Sequence, residues 1–249
     1  METGITVNVV TALVYENKFA ANHVPLEDGN NDIIVTGTNA DGYTATASVS
    51  VNADTSGEYI RITLDEESGV APFETTLSLD ASFHITEDPQ FSYSGPDSIS
   101  MFRMDDGYNY TVTINAPGLY YITATVENDS STCSDTIAIL VMDAAMLDAL
   151  LKAKWNGMKT ALTDGDIEKA LSYHNKRFRE EYESIYNFLG NNLSVMAQEM
   201  KDIEVVFIEG NRAKYAINRD HNIDGQIVTI TYFIYFSRGK DGIWKIEKY

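Results

Sequence analysis

Residues 137–162 read IAILVMDAAMLDALLKAKWNGMKTAL, and the architecture of the chain hangs on the change of period inside that stretch. Up to Met142 the apolar side chains alternate, with Ile137, Ile139 and Val141 on one face of a strand. From Leu147 they recur every three or four positions, at Leu151, Trp155, Met158 and Leu162, the stripe of a helix buried along one side. A strand-built region therefore gives way to a helix-bearing one near residue 143.

Formal charge breaks at the same place. The chain has 249 residues and a net charge of −19, but residues 1–142 hold 21 acidic side chains against Lys18, Arg61 and Arg103, a net −18. Residues 143–249 hold 16 acids and 15 bases, a net −1. A phosphate backbone would be repelled by the first region and would find no basic patch in the second, so nucleic acid is not an expected partner. The acidic surface serves solubility. Apolar runs such as Ile137 to Met142 fall far short of the roughly 20 residues of a membrane helix, so no membrane insertion is expected. Cys133 is the one cysteine, which excludes an internal disulfide. Its parity with Ile137, Ile139 and Val141 makes it a half-buried filler.

From Ile5 to Met142 short alternating runs, such as Thr44 to Val51 and Tyr110 to Ile114, lie between turn pairs. The turns are Asp28-Gly29, Asp41-Gly42, Asp106-Gly107 and Pro117-Gly118. A weak repeat links two hairpins. Gly29 leads to Ile34-Val-Thr-Gly-Thr, a turn at Asn39-Ala-Asp-Gly42 and a strand ending Val49-Ser-Val51. Gly118 leads to Ile122-Thr-Ala-Thr-Val, a turn around Asn128-Asp-Ser130 and a strand ending Ile137-Ala-Ile-Leu-Val141. Each hairpin is expected to close its own module, with the boundary in Asp54-Thr-Ser-Gly57. That gives domains at 1–56, 57–142 and 143–249.

Residues 5–53, through Phe19, Val24-Pro25-Leu26, Gly29-Asn30, Ile33 and Asn39-Ala-Asp-Gly42, resemble bacterial immunoglobulin-like modules related to glucodextranase domain B. Residues 59–142, through Gly69-Val-Ala-Pro-Phe73 and Pro117-Gly-Leu-Tyr-Tyr-Ile122, resemble a PKD-like sandwich without the PKD core motif. The resemblance implies that Tyr120 is buried and ties a strand start to its loop. The first module has about fifty residues where a sandwich of this kind takes roughly a hundred, so the chain is expected to be an N-terminally truncated piece of a longer exported bacterial protein. The export signal is expected to lie outside this piece. Asp/Asn-rich loops carry calcium-ligand chemistry, but the same residues are ordinary in tight turns and no twelve-residue calcium loop is present. Calcium is the one cofactor left open.

After residue 143 the pattern predicts four helices and then four strands. Asp164 is expected to cap a second helix that gathers Ile167, Ala170, Leu171 and His174; a third gathers Phe178, Tyr182, Ile185 and Leu189 and ends near Gly190. Met196, Ala197 and Met200 mark a short fourth. Strands follow at 204–208, 213–218, 227–236 and 242–248, joined by Gly210-Asn211, Asn222-Ile-Asp-Gly225 and Gly239-Lys-Asp-Gly242. Helices packed on a curved antiparallel sheet are an α+β arrangement. Trp155 to Ala161, Gly165-Asp-Ile-Glu-Lys-Ala-Leu171, Ala213-Lys-Tyr-Ala-Ile217 and Asp241-Gly-Ile-Trp-Lys-Ile246 resemble the nuclear-transport-factor-like and SnoaL-like cone superfamily. The fold class is therefore multidomain: two all-β immunoglobulin-like sandwiches followed by an α+β cone. The resemblance implies a pocket used for catalysis, binding or dimerisation, and fold alone does not choose among them.

The ligand-pocket candidates are His174, Tyr182, Tyr186, Tyr215, Arg219, Tyr232 and Tyr235. His174 is either a general base or a core histidine satisfied by one hydrogen bond. The tyrosines either line an apolar ligand site or serve as half-buried strand and core residues. Arg219 shares parity with Tyr215 and Ile217, so it either faces the cone, where it would pair a ligand carboxylate, or lies past the strand end in solvent. The series Lys176/Glu180, Arg177/Glu181 and Arg179/Glu183 reads as a solvated helix face. No Gly-x-Ser-x-Gly elbow, phosphate-binding Gly-rich loop or His-Glu-x-x-His is present, which argues against serine hydrolysis, phosphoryl transfer and zinc chemistry. The leading expectation is a non-catalytic modular piece whose sandwiches are spacers or adhesive surfaces and whose cone docks a protein or small apolar ligand. A small-molecule enzyme or carrier and a homodimerisation module are the alternatives. The cone is expected to be filled by its own side chains.

Overall fold

Alternating strand and turn residues begin at Thr3, and the chain takes the pairings they dictate. A computed structural model describes residues 2–104, 107–128 and 131–249. The fold is mostly β with a smaller helical part, which fits an all-β region plus a small α+β region. The chain divides into two units, Met1–Asp143 with Lys240–Ile243, and Ala144–Gly239 with Trp244–Tyr249.

In the first unit, β1 (Thr3–Val7), β2 (Val10–Thr11), β3 (Leu13–Tyr15), β4 (Lys18–Ala20), β5 (Gly29–Asn39) and β6 (Thr44–Ala53) come first. Four of them pair antiparallel in the order β2-β1-β5-β6, and β3 with β4 forms a separate hairpin. The β5–β6 turn is held by Asn39, whose Oδ1 accepts the N–H groups of Asp41 at 3.1 Å and Tyr43 at 2.9 Å, while Gly42 takes φ +89°.

Eight further strands build a sandwich: β7 (Ile60–Leu64), β8 (Ser68–Val70), β9 (Phe73–Ala81), β10 (Gln90–Ser94), β11 (Ile99–Arg103), β12 (Asn109–Ile114), β13 (Gly118–Asn128) and β14 (Ser131–Met142). They form two sheets, ordered β10-β13-β14-β8 and β11-β12-β9-β7. Alternation sends Leu77 and Leu79, Val112 and Ile114, Tyr120 and Ile122, and Ile137 and Ile139 into one shared core. Each fully buried aliphatic side chain there contributes about 1.5–3 kcal/mol. Tyr120 is fully buried and its hydroxyl donates to Ala116 O at 2.9 Å, tying the start of β13 to the preceding loop. Cys133 packs half-buried against the same core. The turns read at Asp106-Gly107 and Asn128-Asp-Ser130 include residues 106, 129 and 130, which lie outside the described residues.

The second unit holds α1 (Ala144–Thr163), α2 (Ile167–Ser172), α3 (Arg179–Leu189) and α4 (Leu193–Glu199). β15 (Glu204–Glu209), β16 (Arg212–Ile223), β17 (Gln226–Arg238) and β18 (Trp244–Lys248) then form one antiparallel sheet in sequential order. Helix α1 buries the stripe read from the sequence, Leu147, Leu151, Trp155, Met158 and Leu162. Asp166 rather than Asp164 caps α2, its side chain accepting the Lys169 N–H, while the N–H groups of Asp164, Gly165 and Asp166 all close the end of α1 on its carbonyls. The helix ends at Ser172, so His174 stands beyond it, bridged to Ile246 of β18.

Among the described residues the three i,i+4 pairs at 176–183 do not close. Lys176 and Arg177 lie in a 3-10 turn, and Arg179 Nε donates to His174 O at 3.2 Å. The β16–β17 hairpin is longer than the sequence reading. It closes on the two-residue turn Asp224-Gly225, whose φ values are +52° and +81°. No helix of the described residues is long and apolar enough to cross a membrane.

Candidate functional site

Cross-strand pairing decides which side chains of the second unit meet. Tyr215 opposes Ile234, and Ile217 opposes Tyr232, so these side chains share one face with Ala213, Arg219 and Phe236. On α3, Tyr182 and Tyr186 are one helical turn apart and both buried, with Ile185 beside them. Helices and sheet border a half-open cavity of about 320 Å³. Its walls are Trp155 and Leu162 of α1, Tyr182, Ile185, Tyr186 and Leu189 of α3, Leu193, Met196 and Ala197 of α4, and Ile217, Arg219 and Tyr232 of the sheet, with Tyr249 closing one side. The interior is filled in part: Leu151, Trp155, Tyr215, Ile234 and Phe236 are fully buried, and the open space lies beside them, between α3, α4 and the sheet.

Four of the seven candidates line this space: Tyr182, Tyr186, Arg219 and Tyr232. Tyr215, His174 and Tyr235 do not. Tyr215 is fully buried and donates to Asp148 Oδ1 at 2.9 Å, fastening β16 to α1; burial, then that bond, pushes its hydroxyl pKa upward. Tyr235 lies on the opposite sheet face, with Lys248 Nζ 4.9 Å and Lys214 Nζ 5.6 Å from its ring centre.

His174 sits behind the tyrosine wall with no exposed surface. Its ring stacks on Tyr182 at 4.2 Å, and Nε2 lies 2.7 Å from the Tyr186 hydroxyl. Nδ1 is buried without a hydrogen-bond partner. An orphaned acceptor is less costly than an orphaned N–H, which assigns the proton to Nε2. A chain then runs from His174 Nε2 to Tyr186 Oη, to Tyr249 Oη at 2.7 Å, and to Met158 Sδ at 3.7 Å. Burial, reinforced by the Arg179 guanidinium, holds the histidine down at a pKa of about 3, so it stays neutral near pH 7. Burial and the neighbouring hydroxyls push Tyr186 far up, and burial does the same to Tyr249. These groups make a closed, uncharged network whose hydroxyls are occupied by one another.

Tyr249 is the site residue that sequence parity misses. Trp244 and Ile246 are buried, so simple alternation would place Tyr249 on the other face. A bulge intervenes: Phe236 pairs with Ile246 but Tyr235 pairs with Lys248, leaving Glu247 as the extra residue. The bulge returns Tyr249 to the buried face, edge-on to Trp155 at 5.2 Å and stacked on Tyr182 at 5.0 Å. Although Tyr249 keeps 41% of its surface exposed, its hydroxyl reaches Tyr186 and Met158.

Arg219 differs from all of these. It lines the cavity half-buried, and among the described residues its guanidinium has no ion-pair or hydrogen-bond partner. The other charged groups of the lining, Glu199 and Lys201, are exposed.

The calcium question falls on the loops of the first unit, where the turn acids serve their own backbone. Asp54 Oδ1 accepts the Ser56 N–H and hydroxyl, and Asp97 Oδ1 accepts the Ser98 N–H. Among the described residues no group of three His, Cys, Asp or Glu side chains could hold a metal ion. Comparison with models of known protein families and with curated proteins finds no match to this chain.

Proposed function

We propose that the protein is a modular binding protein, with the cavity of the second unit receiving a small, largely apolar molecule and the acidic β-rich unit acting as spacer. The observation that carries this reading is the cavity of about 320 Å³ walled by aliphatic and aromatic side chains. Its volume lies at the lower end of the ~300–1,000 Å³ typical of ligand pockets. Binding rather than catalysis follows from the chemistry around it. A general base works best with a pKa near the operating pH, whereas His174 is held at about 3 and does not line the cavity. The inner phenols are already engaged with each other and with the backbone.

The finer fold reading belongs to the same proposal. The two-sheet core and the Tyr120 tie support immunoglobulin-like modules in the first unit, and helices bordering a half-open cavity against an antiparallel sheet support a nuclear-transport-factor-like cone in the second. An exported bacterial protein is the setting that such acidic spacers with a single free cysteine suit.

The test uses Trp155, which lines the cavity, as a built-in reporter. Titration of the intact chain with the neutral apolar dye N-phenyl-1-naphthylamine should quench Trp155 emission saturably. Ala197→Leu, which places a larger side chain into the space, should weaken that binding by about tenfold, the effect of a few methylene-sized contacts. A dye that fails to saturate, or that binds both proteins equally, would remove the cavity as a ligand site.

A further inference from the structure

Resting on the reading of the cavity as a ligand site, we infer that its ligand is an amphipathic monoanion, an apolar body ending in a carboxylate that pairs with Arg219. The chamber has many apolar walls and few polar groups free to bind. Tyr186 and Tyr249 hydroxyls are bonded to each other at 2.7 Å, and the Tyr182 oxygen accepts the Tyr249 N–H at 2.9 Å. The Tyr232 hydroxyl faces His221 Nε2 at 3.3 Å. A neutral hydrogen-bonding ligand would have to break these contacts.

Arg219 is placed differently. Its guanidinium carries five donors and, among the described residues, meets no acceptor. It is half-buried on the same sheet face as Ile217 and Tyr232, which line the chamber. A half-buried cation with no partner is incompletely solvated, and a planar carboxylate satisfies it with two parallel hydrogen bonds. Charge also selects the ligand's valence. The lining holds Arg219 and Lys201 against Glu199, one net positive charge on a chain whose net charge is −19. One carboxylate neutralises that excess, while a dianionic phosphate would leave Glu199 facing uncompensated charge of its own sign. The rest of the chain repels anions, so the site binds a monoanion through close contact rather than long-range attraction.

Decanoate and 1-decanol, which share a tail and differ in the head group, separate this inference from the cavity reading. Each is titrated, below its micelle concentration, into the intact protein preloaded with N-phenyl-1-naphthylamine. Decanoate should displace the dye about tenfold more effectively than decanol, and the preference should persist as salt rises, because salt screens the long-range repulsion by the chain as well as the close pair. In Arg219→Met the ratio should drop to near one, and in Arg219→Lys, which keeps the charge and loses the fork, it should be intermediate. Because each protein supplies its own decanol reference, a variant with altered folding does not disguise the result, and the wild-type ratio stands without any variant. Equal displacement by decanoate and decanol would overturn the carboxylate assignment and leave the cavity as a neutral-ligand site. Absence of dye binding would overturn both.

Discussion

His174 shows what burial does to a group that sequence alone offers as a base. The folded protein keeps it neutral down to about pH 3, while the unfolded chain takes up a proton below the ordinary value of 6.5. The unfolded state therefore binds more protons between these limits, so this residue's stabilisation is complete above pH 6.5 and is lost as pH falls toward 3. The slope from one proton is at most about 1.4 kcal/mol per pH unit. Thermal midpoints of the wild type and His174→Gln, compared from neutral pH to pH 4, should diverge, with the variant giving the flatter profile. Parallel profiles would mean that His174 is not the group responsible. Asn22 makes the residue-scale point in the first unit. Its side chain donates to Ala138 O at 2.9 Å and accepts the Ala138 N–H at 2.8 Å, satisfying buried backbone of β14 as a neighbouring strand would. Neither residue belongs to a motif; each is defined by its surroundings.

At the scale of elements, the most consequential irregularity is the bulge in β18. A one-residue shift in a strand sends every later side chain to the opposite face. Here the shift at Glu247 brings Tyr249 onto Trp155 and Tyr182 and closes the cavity wall. Glu247→Ala keeps the extra residue and should change stability by no more than about 0.5 kcal/mol. Tyr249→Ala, which leaves the bulge in place and removes the ring contacts and the hydroxyl bond, should cost about 2–4 kcal/mol. Urea unfolding followed by tryptophan fluorescence distinguishes the two variants. A Tyr249→Ala variant as stable as Glu247→Ala would show that the contacts the bulge gives Tyr249 do not hold the cavity wall. The β16–β17 hairpin is the contrasting case, because Asp224-Gly225 carries its turn geometry in its own two residues.

For the whole molecule, charge asymmetry has a measurable consequence. Residues 1–142 carry a net −18, and like charges at that density oppose compaction until salt screens them. Both tryptophans, Trp155 and Trp244, belong to the second unit, so fluorescence reads that unit while calorimetry records the unfolding of both. Raising salt from about 0.02 to about 0.5 M should lift the calorimetric transition that fluorescence does not follow by a few degrees and leave the fluorescence midpoint nearly unchanged. Equal shifts in both signals would show that self-repulsion is not what limits the acidic region.

The change of period after Met142, the α1 stripe from Leu147 to Leu162 and the turns at Asn39-Ala-Asp-Gly42 and within Asn222-Ile-Asp-Gly225 were all readable in the chain. Each depends on side-chain spacing or on conformational preferences local to a few residues. The cavity and its lining were not readable in that way. Tyr182 of α3 and Tyr215 and Tyr235 of the sheet were equal candidates by residue type, yet one lines the cavity, one is pinned to Asp148 and one lies on the far sheet face. Tyr249 joined them through a bulge, and Arg219 entered the lining through the length of β16. The sequence by itself determined the elements and their order, because local sterics and hydrophobic period act within one segment. Only the tertiary structure decided which side chains face a common space, because that depends on register and packing between segments far apart in the chain.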